Sequence, residues 1–118
     1  MHTILVVDDD DQMRQFWTDV LVEQGYTVLT ADDGAAALKL IDEQKPTLII
    51  ADIMMPGVDG IDLCLSLRSA ETTAAIPIVV CSATQEAIIQ DECSYTAFFT
   101  KPFNLQQLLS LVASYTPA

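Results

Sequence analysis

An α/β fold, a doubly wound three-layer sandwich with a parallel sheet in the middle, is predicted by three observations. Short β-branched runs alternate with longer amphipathic stretches, and the alternation repeats five times along the chain. The runs "TILVV" (3–7), "TLII" (47–50) and "IVVC" (78–81) are continuously apolar, as strands covered on both faces are. Each run then gives way to polar residues: Asp8 and Asp9 after the first, Asp52 after the second, Ser82 after the third. In doubly wound sheets that position is the rim where function collects.

The elements follow in order. Residues 3–7 are the first strand. After four aspartates, Met13, Phe16, Trp17, Val20 and Leu21 fall at helical spacing and define a first helix with a core-facing stripe, stopped at Gly25. "TVLTA" (27–31) is a second strand, less apolar and therefore nearer an edge. "AAALKLIDEQ" (35–44) is a second helix that Pro46 ends. The third strand, 47–50, leads to a third helix running from about Asp59 through "GIDLCLSLRSA". The fourth strand, 78–81, precedes a weaker helical stretch, "TQEAIIQDE". "AFFT" (97–100) is the second edge strand, and "NLQQLLSLVASY" is the last helix. Right-handed crossovers joining five strands to five helices complete the sandwich.

Composition bounds what this domain does. A chain of 118 residues is one ordinary domain and buries about two-thirds of its unfolded surface. The net charge of −12, with only Arg14, Lys39, Lys45, Arg68 and Lys101 positive, repels phosphate backbones and anionic lipid, so neither nucleic acid nor membrane is an expected partner. No apolar run approaches a membrane span and the start "MHTILVV" lacks a signal peptide's basic end, so the cytoplasm is the expected location. Cys64, Cys81 and Cys93 are odd in number and lack metal-type spacing, and are read as small buried thiols. His2, alone near the terminus, carries no expected role.

The rim residues suit one chemistry. Asp8, Asp9 and Asp52 are drawn together by the topology, and neighbouring carboxylates repel by roughly 1 kcal/mol in water and about 4 at a partly screened site. A cation is needed, and oxygen ligands with no Cys or His nearby select a hard metal such as Mg²⁺. Lys101, after the fifth strand, adds a mobile positive charge able to meet an anion, and Ser82 adds a hydroxyl donor. A carboxylate, a divalent cation, a lysine and a hydroxyl are the parts of phosphoryl transfer onto aspartate. Of the remaining aspartates, Asp10 is expected to be solvated and Asp11 to cap the first helix.

The stretches "ILVVDDDDQMR", "GYTVLTADDGAAAL", "PTLIIADIMMPGVDGIDL", "IPIVVCSA" and "FFTKPF" occur in this order at the expected places in the alternation. Together they resemble the receiver domain of two-component response regulators over essentially the whole length, so residues 1–118 read as a single receiver domain. The resemblance implies a flavodoxin-like sheet of order 2-1-3-4-5. It makes Asp52 the phosphoacceptor and assigns Mg²⁺ to Asp8, Asp9, Asp52 and the Met54 backbone carbonyl. Ser82 and Lys101 become phosphate-binding residues, with Phe98 as the aromatic that turns inward when Ser82 moves. Met55, Pro56 and Gly60 shape the loop after the acceptor, and the bond to Pro102 matches the family's cis peptide.

The implied donor is a phosphohistidine on a sensor histidine kinase or histidine phosphotransfer protein. The implied output is a changed protein-binding face built from the fourth helix, fifth strand and fifth helix, acting on a downstream target, a C-terminal output domain or a second copy of the chain. The tail "SYTPA" looks like the start of a linker, whereas Met1 suits a natural beginning.

Two departures from the family pattern matter. Only residues 84–100 separate Ala83 from Lys101, about one helical turn fewer than usual, so the fourth helix is expected to be short, distorted or partly unwound. Phe98 stands where Tyr is commoner, so its two positions differ by packing alone. The fifth helix carries no charge; a broad core stripe through Leu105, Leu108, Leu109 and Val112 is preferred over an apolar partner surface. The competing functions are a receiver-like scaffold that is never phosphorylated and a Mg²⁺-dependent aspartyl phosphohydrolase. The latter, of the haloacid dehalogenase type, needs a second Asp where this chain has Met54.

Overall fold

The computed structural model describes residues 2–52, 60–82, 95–100 and 104–116, with Gly60, Ser82 and Thr100 described by their backbone. The strands are β1 (Thr3–Val7), β2 (Thr27–Ala31), β3 (Leu48–Asp52), β4 (Ile78–Ser82) and β5 (Ala97–Thr100). The helices among the described residues are α1 (Asp11–Glu23), α2 (Gly34–Gln44), α3 (Gly60–Ser69) and, at the C-terminal end, α4 (Leu105–Tyr115). All strand pairs are parallel, in the order β2-β1-β3-β4-β5. The sheet order is thus the expected one. The helix expected over 84–92 lies outside the described residues.

The continuous apolar runs are explained by a sheet with two buried faces. Leu5 and Val7 of β1, Ile49 and Ala51 of β3, and Ile78 and Val80 of β4 join Ala37, Ile41, Leu63 and Leu67 in the layer under α2 and α3. The alternate residues, Ile4 and Val6, Leu48 and Ile50, Val79 and Cys81, join Trp17, Leu21, Leu108 and Val112 in the layer under α1 and α4. Period-two alternation therefore assigns the apolar residues of β1, β3 and β4 to one layer or the other. Cys64 and Cys81 are buried within these layers and are not joined in a disulfide; Cys93 lies outside the described residues.

Helix ends follow local chemistry. Asp10, in extended conformation, is the cap of α1, and its side chain accepts the Gln12 N–H at 2.9 Å. Asp11, expected to be the cap, is instead the first helical residue, exposed and paired with Arg14. The assignment moves by one residue because an Asx-type cap needs a non-helical residue two before the N–H it accepts. Asp33 caps α2 by accepting the Ala36 N–H at 2.7 Å. Gly25 takes φ +95° after α1, a backbone region that favours glycine. Lys45 closes α2 in the left-handed region ahead of Pro46.

Phe16 departs from its expected core position. The stripe of α1 centres on the buried Trp17 and Leu21, which leaves Phe16 at the flank, 40% exposed, its ring edge-on to Trp17 at 5.5 Å. The third helix starts at Gly60; Asp59 lies outside the described residues. In α4 the preferred reading stands: Leu108 and Val112 are buried, and Leu105, Leu109, Leu111 and Tyr115 pack partly buried on the same layer.

The edge strand β5 is short and is held at its start by side chains. Thr96 N–H donates to the Ile78 carbonyl (2.9 Å) and its Oγ1 accepts the Ile78 N–H (3.0 Å). Arg68, at the end of α3, donates to the Ala74 and Ile76 carbonyls (3.1 and 2.9 Å) and to Thr96 Oγ1 (3.4 Å). One guanidinium thus ties α3, the 70–76 turn and β5 together.

The cap assignment makes an ordered prediction. Asp10→Ala is expected to lower stability by about 1 kcal/mol, the usual value of a lost N-cap, and Asp11→Ala by about half that or less. Urea unfolding followed by the fluorescence of Trp17, the chain's one tryptophan, measures both. A larger loss for Asp11→Ala would reverse the assignment.

Candidate functional site

The sheet order reverses between β1 and β3: the chain leaves β1 for the β2 edge and returns to start the other half at β3. At such a switch point the connections diverge to opposite faces and leave a crevice at the strands' carboxyl ends. The register there pairs Val7 with Ala51, so the next residues, Asp8 and Asp52, are brought side by side. Asp52 is also paired across to Cys81 of β4, and Ser82 to Thr100 of β5.

Asp8, Asp9 and Asp52 each present a carboxylate oxygen within 4.8 Å of the others. Asp8 is 3% and Asp52 8% exposed, while Asp9 lies open to solvent. This cluster can hold a metal ion. Two carboxylates at such separations repel by roughly 3 kcal/mol at a partly screened site. The ligand set is oxygen alone, which fits a hard divalent cation rather than a thiophilic one.

The loop carrying Asp8 and Asp9 is tied down on several sides. Asp8 N–H continues the ladder by donating to the Ala31 carbonyl at 3.1 Å. Asp10 N–H donates to Asp8 Oδ1 at 2.9 Å, closing a tight turn over the first carboxylate. Arg14 reaches back from α1: Nη1 donates to the Asp8 carbonyl oxygen at 2.6 Å and Nη2 to Asp11 Oδ1. In the sequence Arg14 stands out only as one of five positive charges. Its signal was its place: six residues after Asp8, on the helix face shared with Asp11.

The structure therefore brings together the three predicted metal-binding aspartates and sets the Ser82 backbone one strand away. Phe98, paired with Val80, is half-buried against the layer under α2 and α3. Its ring lies 5.9 Å from that of Tyr95 at an interplanar angle of 49°. Its surroundings are apolar, in keeping with a phenyl ring that has no hydroxyl to satisfy. The assignments to Met54, Met55, Pro56, Lys101 and Pro102 lie outside the described residues, as does the Ser82 side chain; Gly60 begins α3.

The model of the response regulator receiver domain matches residues 4–113. The chain belongs to this family. It is 38% identical over 110 residues to the response regulator MprA of Mycobacterium ulcerans, covering 91% of this chain and 47% of that protein. It is 35% identical over 112 residues to the DNA-binding response regulator MtrA of Mycolicibacterium smegmatis, covering 92% and 48%.

Among solved structures, the signal receiver domain of a signal transduction histidine kinase from Syntrophus aciditrophicus superposes with TM-score 0.92 at 28% identity, covering 98% of this chain and 89% of that one. The Vibrio cholerae chemotaxis protein CheY4 superposes with TM-score 0.89 at 29% identity, covering 98% of both chains. The receiver thus spans about half the length of the curated relatives it matches. Among its described residues no helix is long and apolar enough to cross a membrane.

A cation that neutralises the cluster stabilises the folded receiver by mass action. The melting temperature is expected to rise by about 5 °C at a tenfold excess of Mg²⁺ over Kd. Asp9→Asn relieves repulsion and should melt higher than the wild type without metal, yet gain nothing from Mg²⁺. A variant that responds to Mg²⁺ as the wild type does would contradict the assignment of Asp9 to the site.

Proposed function

We propose that this receiver accepts a phosphoryl group on Asp52 with Mg²⁺ at the acidic cluster, from a phosphohistidine of a sensor kinase or phosphotransfer protein. The observation that carries the reading is that Asp52 ends a central strand at the switch point with the oxygens of Asp8 and Asp9 within 4.8 Å. Isolated acidic residues on a rim serve as solvated caps; a largely buried carboxylate beside a second buried one does not.

The chemistry asked of the chain is small. A carboxylate oxygen of Asp52 forms a bond to phosphorus as the phosphorus–nitrogen bond of the donor imidazole breaks, and the leaving nitrogen recovers a proton. The product is an acyl phosphate, and β3 presents the nucleophile at a fixed place on the rim. Asp8, Asp9 and Asp52, with the Met54 carbonyl, are the residues that would hold Mg²⁺, which would supply charge neutralisation at the phosphoryl oxygens. Ser82 and Lys101 are the residues assigned to the other oxygens, one as a hydroxyl donor and one as a compact cation.

The output in this reading is a shift between two arrangements of the face on β5, α4 and the segment between β4 and β5, rather than a turned-over metabolite. Phe98 follows Ser82 inward by exchanging one apolar packing for another. Because the chain spans about half of its curated relatives, a C-terminal output domain or a separate protein target receives the signal. The turnover of unrelated phosphate esters is not part of this function.

Incubation with Mg²⁺ and acetyl phosphate or phosphoramidate, followed by intact mass, tests the reading. The wild type is expected to gain one phosphoryl group and Asp52→Asn none. No gain with either donor overturns it, and rapid multiple turnover of phosphomonoesters would replace it with the phosphohydrolase reading.

A further inference from the structure

Arg14 is placed where the helix alone would not favour it. It closes the first turn of α1, at the positive end of the helix dipole, where a cation costs roughly 0.3–1 kcal/mol. Its side chain is 18% exposed and spans two acceptors, the Asp8 carbonyl oxygen at 2.6 Å and the Asp11 carboxylate. Lys45 and Arg68 have their contacts elsewhere, on Asp42 and on backbone carbonyls beside the amino ends of β4 and β5. The Asp8–Asp9 peptide is therefore held on its carbonyl side by one arm of a guanidinium whose other arm is fixed on Asp11, while the Asp8 carboxylate is held by the Asp10 N–H.

We infer that Arg14 is a positioning residue for the cation site, setting the directions of the Asp8 and Asp9 carboxylates by fixing the peptide between them. The inference rests on the proposed function only in taking Mg²⁺ as the cation. The planar fork matters, because two donors in fixed relation define an orientation that a single point charge does not. Arg14 also places a permanent positive charge near three carboxylates, and this makes the sign of the test decisive. By charge alone, removing Arg14 would strengthen binding of a dication. By positioning, removal weakens it. A purely structural role would change the melting temperature and leave the affinity of the folded protein alone.

Mg²⁺ affinity of the folded protein, measured by isothermal titration calorimetry at low temperature, separates these. Arg14→Gln is expected to bind Mg²⁺ about tenfold more weakly, the size of one lost charge-assisted hydrogen bond. Equal or tighter binding overturns the inference. Should Arg14→Gln fail to fold, Arg14→Lys decides: it keeps the charge and loses the fork, so weaker binding supports positioning and wild-type affinity overturns it. A wild type that binds no Mg²⁺ overturns both this inference and the proposed function. A wild type that binds Mg²⁺ but takes no phosphoryl group overturns the function alone, and the Arg14 variants are then read from affinity as before.

Discussion

The pairing of β1 with β3, Val7 against Ala51, is the constraint on which the rest of the receiver depends. It sets Asp8 beside Asp52 and so creates a concentration of negative charge that the fold must offset. A slip of one residue would turn every side chain of β3 to the opposite face. Asp52 would then point into the layer under α2 and α3, and Ile49 would exchange layers with Leu48 and Ile50. Such a slip buries a carboxylate among aliphatic side chains, so the apolar pattern of the central strands protects the register and, through it, the site.

Core and site are thus parts of one arrangement. The two layers hold the sheet rigidly, which lets like charges stand within 4.8 Å of one another without the strands splaying. Among the described residues the offsetting groups lie close by: Arg14 on the carbonyl side of Asp8 and the Asp10 N–H on its carboxylate. The helix that supplies Arg14 owes its start to Asp10 and its seat to Trp17 and Leu21. Stability of α1 and geometry of the rim are therefore coupled.

How much can be read from the sequence differs by kind of interaction. Sheet order, both edge strands, the convergence of Asp8, Asp9 and Asp52 and the core stripe of the C-terminal helix follow from runs, periodicity and resemblance, because they rest on patterns that extend over many residues. The division of labour between Asp10 and Asp11 depends on one residue's backbone conformation, which four consecutive aspartates do not reveal. The spacing of Phe16 fits a core stripe; the stripe's actual centre is set by where Trp17 finds room. The contacts of Arg14 and Arg68 with backbone carbonyls leave no periodic trace, since any long cationic side chain reaches several such oxygens and only the folded geometry selects among them.

Diffraction from crystals of the receiver grown with Mn²⁺, recorded for its anomalous signal, addresses the central claim most directly. The account predicts a single ion against the carboxylates of Asp9 and Asp52, near Asp8, with Arg14 still on the Asp8 carbonyl. An ion seated elsewhere, or an acidic rim without one at saturating Mn²⁺, would contradict it.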